Sequence, residues 1–92
     1  MLTAFVMIRV EPDKIASVAQ AIANMPSVAE VYSVTGEYDI IAVLRLPEYD
    51  QLAEAVPEGL ARIEGVISTN TMLAFRRYSA KDLQAAWDIG VS

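Results

Sequence analysis

The strongest constraint on this chain is the stretch from Asp39 to Leu46, in which Ile40, Ala42, Leu44 and Leu46 alternate with Ile41, Val43 and Arg45. Side chains of a strand point to opposite faces with period two, so a strand of this composition is apolar on both faces over most of its length. Such a strand cannot border water on either side. It is predicted in the middle of a sheet, with apolar material stacked above and below it.

The flanking segments supply the rest of that sheet. Leu2 to Val10 alternates as well, with Leu2, Ala4, Val6, Ile8 and Val10 opposed by Thr3, Phe5, Met7 and Arg9. Phe5 and Met7 make its second face apolar too. Val28 to Val34 and Val66 to Tyr78 are predicted as the second and fourth strands. The fourth opens with an unusually polar run, Ser68-Thr69-Asn70-Thr71.

Two helices separate these strands. Glu11-Pro12-Asp13 breaks the first strand and suits a helix start, after which Ile15, Val18, Ala19, Ile22 and Met25 recur at helical spacing. Asn24-Met25-Pro26 closes that helix, because a residue before proline avoids the α region. Tyr49, Leu52, Ala53, Val56, Leu60 and Ile63 mark a second helix. Pro57 is expected to kink it or divide it into two short helices, and Gly65 to close it in a left-handed conformation. Ser79-Ala80-Lys81-Asp82 resembles a capping box opening a short terminal helix with Leu83 and Trp87 stacked.

The order β-α-β-β-α-β defines the fold class: α+β, a ferredoxin-like sandwich with a four-stranded antiparallel sheet and an extra C-terminal helix. The 92 residues are read as one domain. Both helices fall on one face of the sheet, and nothing in the chain covers the other. Hydrophobic residues make up 54% of the sequence against 21% charged, more apolar material than one small core needs. Dimerisation sheet against sheet, as a dimeric α+β barrel, is therefore expected.

Composition also excludes function classes. The absence of cysteine and histidine rules out disulfide scaffolds and thiolate or imidazole metal sites, and removes the usual general base. No catalytic residue, metal site or cofactor is expected. The net charge is −5, and the seven Lys and Arg are scattered apart from Arg76-Arg77. Direct nucleic-acid binding is thus not expected. The Arg76-Arg77 pair is read as solvated, with pairing across a subunit boundary as the alternative. No apolar run reaches transmembrane length and the N-terminus lacks a basic signal region, so no membrane association and a cytoplasmic location are expected.

Candidate site residues cluster between the second and third strands. Thr35, Gly36 and Glu37 form a polar hairpin turn in which Gly36 tolerates positive φ. Asp39 follows just inside a strand, where carboxylates are depleted unless something uses them. A Gly and an Asp beside a sheet edge fit a small charged ligand, while the plainer reading of these residues alone is a turn glycine with a turn-stabilising Asp.

The segment Val34-Thr35-Gly36-Glu37-Tyr38-Asp39-Ile40, with the Pro26-Ser27-Val28 strand entry and Gly65-Val66 before a Thr-containing fourth strand, resembles the effector-binding domain of the Lrp/AsnC transcription regulators. This is the module called RAM, for regulation of amino acid metabolism. The likeness runs from about Leu2 to Arg77. It implies a non-catalytic, amino-acid-binding subunit that pairs through its sheets and assembles further into an octamer or similar ring. The effector would lie in a cleft between dimers. By position, Thr35, Gly36, Glu37 and Tyr38 would supply backbone groups and one wall, and Asp39 would attract an α-ammonium. Thr69 and Thr71 would hydrogen-bond the ligand or a partner loop, or serve only as β-branched strand residues. Full regulators carry an N-terminal helix-turn-helix domain, whereas here the module begins at residue 2. The resemblance therefore implies a stand-alone version without DNA binding of its own, with full-length Lrp/AsnC regulators as further partners.

The alternative from another class is a small dimeric α+β-barrel enzyme, a cofactor-free monooxygenase or an isomerase. It would need a pocket base, and without histidine that falls to Asp39, Glu30 or a tyrosine. An enclosed cavity lined by Tyr32 and Asp39 would be its signature.

Overall fold

In the computed structural model, which describes residues 1–80, the apolar stretch leading to Leu46 is an inner strand. The strands are β1 (Leu2–Val10), β2 (Val28–Ser33), β3 (Ile40–Leu46) and β4 (Val66–Ala74), in the sheet order β2-β3-β1-β4. All neighbours are antiparallel. The two strands with apolar residues on both faces occupy the centre, and the two with more polar positions form the edges. Helix α1 (Ile15–Ala23) follows β1 after a 3-10 turn at Pro12–Lys14, and α2 (Asp50–Ala55) follows β3. This is the βαββαβ ferredoxin-like arrangement.

Register decides which residues share a face. Ala4, Val6 and Ile8 stand opposite Leu44, Ala42 and Ile40, and all six are buried beneath the helices. Val18 and Ile22 of α1 pack there, joined by Ala55, Val56 and Leu60. Among the described residues no polar side chain is buried, so the core is held by apolar burial.

Among the described residues the opposite face has no such cover. Phe5 and Met7 stand beside Val43 and Ile41, with Tyr32 of β2 and Met72 of β4 flanking them. Phe5 is 36%, Tyr32 50% and Met72 51% exposed. Glu30 accepts a hydrogen bond from the Tyr32 hydroxyl on this face, and that bond raises the hydroxyl's pKa above its ordinary value.

Two elements are shorter than their sequence patterns predict. The second helix ends at Ala55 and resumes as a 3-10 turn at Leu60–Arg62. Pro57 has no N–H to continue the ladder, and its ring would collide with a carbonyl one turn back, so the division expected of it occurs. β4 stops at Ala74 rather than Tyr78, because its partner runs out: Ala74 pairs with Thr3, near the start of β1. The terminal helix expected around Leu83 and Trp87 lies outside the described residues.

Gly36 and Gly65 both adopt positive φ, 105° and 103°. A Cβ at Gly36 would meet open space, whereas one at Gly65 would lie 2.9 Å from Lys14 Cδ and 3.0 Å from Val18 Cγ2. The first position is constrained by backbone alone, the second by backbone and packing together. Gly36→Ala is expected to cost about 1 kcal/mol and Gly65→Ala about 2–3 kcal/mol. Urea unfolding of both variants checks the order, and equal costs would contradict the close approach at Gly65.

Candidate functional site

The β2–β3 turn sits at the end of the sheet where β1 finishes and β4 begins. The backbone N–H of Val34 donates to the Asp39 carbonyl at 2.9 Å, closing the hairpin around Thr35, Gly36, Glu37 and Tyr38. The Asp39 N–H donates in turn to the Ile8 carbonyl at 2.9 Å. Val10 has the same strand parity as Ile8, so its N–H points to the β3 side, where β3 has already turned away. The Asp39 carboxylate fills that gap, its Oδ2 accepting from the Val10 N–H at 2.8 Å. Without it a part-buried donor would be left unpaired. The same place holds a register shift between Arg9 and Val10 in the β1–β4 ladder.

A second bond ties the turn to the far edge. Asn70 Nδ2 donates to the Tyr38 hydroxyl at 3.1 Å, across the width of β1. Asn70 pairs with Met7 and so lies on the uncovered face. The turn is thus stapled to β1 by Asp39 and to β4 by Tyr38.

The candidate residues do not all converge. Thr35, Gly36, Glu37, Tyr38 and Asp39 form one surface at the turn. Thr69 stands opposite Ile8 and Thr71 opposite Val6, both on the helix-covered side and separated from Asp39 by β1. Thr71 lines a cleft with Tyr49, Leu52 and Val56 instead. Asn70 was not singled out from the sequence. The polar run 68–71 was its signal, since alternation places Asn70 on the face opposite Thr69 and Thr71.

One Asp39 oxygen is spent on Val10, while Oδ1 makes no hydrogen bond to the described residues. The N–H groups of Thr35, Gly36, Glu37 and Tyr38 make no backbone hydrogen bonds either. The turn therefore offers donors and one free carboxylate oxygen side by side. A larger open cleft of about 470 Å³ lies at the other end of the sheet, where Pro26, Ser27, Pro47, Gln51 and Glu54 line it. Neither cleft is lined by Tyr32 or Asp39. No group of three or more carboxylates among the described residues could hold a metal ion.

The sheet order and the Gly-x-x-Asp turn held to β1 and β4 define a ferredoxin-like α+β module. The Lrp/AsnC ligand binding domain family matches residues 3–83, and the chain belongs to that family. An uncharacterized HTH-type transcriptional regulator of Pyrococcus furiosus is 42% identical over 76 residues, which is 79% of this chain and 51% of the relative. The chain thus spans about half the length of that curated relative. The crystal structure of TTHA0845 from Thermus thermophilus is similar with a TM-score of 0.83 and 48% identity, over 86% of this chain and 99% of that one. A Neisseria meningitidis transcriptional regulator, solved as a complex with L-Met, shares the fold with a TM-score of 0.78 and 19% identity, over 85% of this chain and 52% of that one.

The Asp39 bond generates a substitution test. Asp39→Asn keeps an acceptor for the Val10 N–H, whereas Asp39→Ala removes it. The alanine variant is expected to lose about 1–3 kcal/mol and the asparagine variant well under half of that. Amide exchange should show Val10 deprotected in the alanine variant alone. Equal protection in both would show that the carboxylate does not hold the strand end.

Proposed function

We propose that this chain is a non-catalytic amino-acid sensor that works as a homo-oligomer. Two copies pack through their uncovered sheet faces, and dimers assemble further, into an octamer or similar ring. The effector binds at the turn Thr35–Asp39, where a neighbouring copy supplies the second wall. The observation that carries this reading is the apolar face of Phe5, Met7, Ile41 and Val43, next to a turn already stapled in place. Membership of a ligand-binding family supports it, as does the L-Met found with the Neisseria relative.

In this reading the free N–H groups of the turn receive the carboxylate of the amino acid. The remaining Asp39 oxygen accepts from its ammonium, and Thr69 or Thr71 of an adjoining copy completes the cleft. Effector acts by favouring one assembly over another, which requires only that it bind the two with different affinity. The sensor works in the cytoplasm, and its output passes to full-length Lrp/AsnC regulators; its similarity to HTH-type transcriptional regulators supports this.

Two measurements test the reading. In a thermal-shift screen of the proteinogenic amino acids, at least one should raise the melting temperature, with about 2.7 kcal/mol of stabilisation at a hundred times its dissociation constant. Silence across the whole panel at millimolar concentration would overturn the sensor reading. Met7→Glu places a charge at the centre of the sheet face and is expected to abolish pairing through that face, lowering the assembly mass seen by light scattering. An unchanged mass would overturn pairing through that face.

A further inference from the structure

Phe75 is the most exposed large apolar side chain among the described residues, at 98%. It stands immediately beyond the last paired residue of β4 and precedes Arg76, Arg77 and Tyr78. The Arg76 guanidinium lies 5.9 Å from the centroid of the Tyr78 ring. This segment therefore presents a fully exposed phenyl ring beside the only adjacent basic pair in the sequence.

A complementary surface lies on the same molecule, between α2 and β4. There Tyr49, Leu52, Ala53, Val56, Pro57 and Thr71 line a mostly apolar cleft of about 240 Å³. A cavity of about 150 Å³ suffices to hold a benzene molecule, so this cleft has room for one phenyl ring and its methylene. The segment around it, 48–58, contains Glu48, Asp50, Glu54 and Glu58 and no Lys or Arg. None of these carboxylates, and neither Arg76 nor Arg77, is in an ion pair among the described residues. The cleft does not hold its own chain's Phe75, whose ring is fully exposed.

Size and charge together identify the occupant as a second copy of this chain. We propose that Phe75 of one copy inserts into the α2–β4 cleft of another, with Arg76 and Arg77 set against Glu48, Asp50, Glu54 and Glu58. An aromatic anchor in an apolar pocket, flanked by arginines meeting carboxylates, is the composition that carries most of the binding energy in protein interfaces. The charges speed and orient encounter, and their contribution weakens with salt. This contact uses the sheet edge and α2, so it is separate from the sheet-face pairing and does not depend on the identity of any effector.

The test replaces Phe75 with p-azidophenylalanine, which keeps a single aromatic ring at the position, and irradiates the assembled protein. A covalent dimer is expected, with the adduct mapped by mass spectrometry to residues 49–57 of the second copy and its yield reduced several-fold in 0.5 M NaCl. Absence of a covalent dimer, an adduct elsewhere on the second copy, or an adduct within the same chain would each overturn the proposal. Independently, Phe75→Ala and the pair Arg76→Glu with Arg77→Glu should each weaken self-association about tenfold in sedimentation. Wild-type association in both would count equally against it. Because Met7→Glu disrupts only the sheet face, loss of one contact and loss of the other are told apart.

Discussion

The pairing of β1 with β3 sets the terms for everything else in this subunit. Seven residue pairs, from Leu2 with Leu46 to Ile8 with Ile40, bring apolar side chains together on both sides of the same two strands. Hydrophobic burial does not distinguish one face from the other, so each must be removed from water by something. The helices and the segment following α2 accomplish this for Ala4, Val6, Ile8, Ile40, Ala42 and Leu44. Over Phe5, Met7 and Ile41 the described residues place no further layer, and Val43 is buried only by its neighbours on the sheet. A single core of this size could have been built with one polar sheet face, as many antiparallel sheets are. That it was not is the ground for the proposed pairing of sheet faces.

The start of β3 shows how a side chain can fill a local gap in a sheet. The strand turns away one step before β1 finishes, and the Val10 N–H would be left facing empty space. The Asp39 carboxylate stands in for the missing backbone acceptor, and the Tyr38 hydroxyl reaches over to Asn70. These two bonds hold the intervening N–H groups of the turn in place without consuming them. A turn fixed in this way meets a ligand with less ordering still to be done than a free loop. Asp39 holds the strand end through one carboxylate oxygen, and in the proposed site the other oxygen would meet the effector.

Charge is distributed to match the two kinds of surface. The ion pair between Lys14 Nζ and Glu64 Oε1, at 3.0 Å, is exposed, and it raises the lysine's pKa while adding little to the fold. The acidic residues around α2 and the Arg76-Arg77 pair remain outside any such contact within the described residues. Charges left unpaired at the rim of an apolar surface are better suited to steering a partner than to holding a fold.

Element order, the central position of β3, the break at Pro57 and the tight turn at Gly36 could all be read from the chain, because each follows from local chemistry. Period-two alternation, a missing N–H and tolerance of positive φ act within a few residues of one another. The family resemblance was carried by the same turn, and it too was local. What the sequence could not reveal depends on which strands meet. The end of β4 at Ala74 is set by where β1 begins, at the opposite end of the chain. The separation of Thr69 and Thr71 from Asp39 is set by β1 lying between them, and the role of Asn70 by its alternation on that edge strand. The sequence by itself determined which segments fold and how much apolar surface they must hide; tertiary structure alone decided which side chains face one another, because register and strand order arise from contacts between residues far apart in the chain.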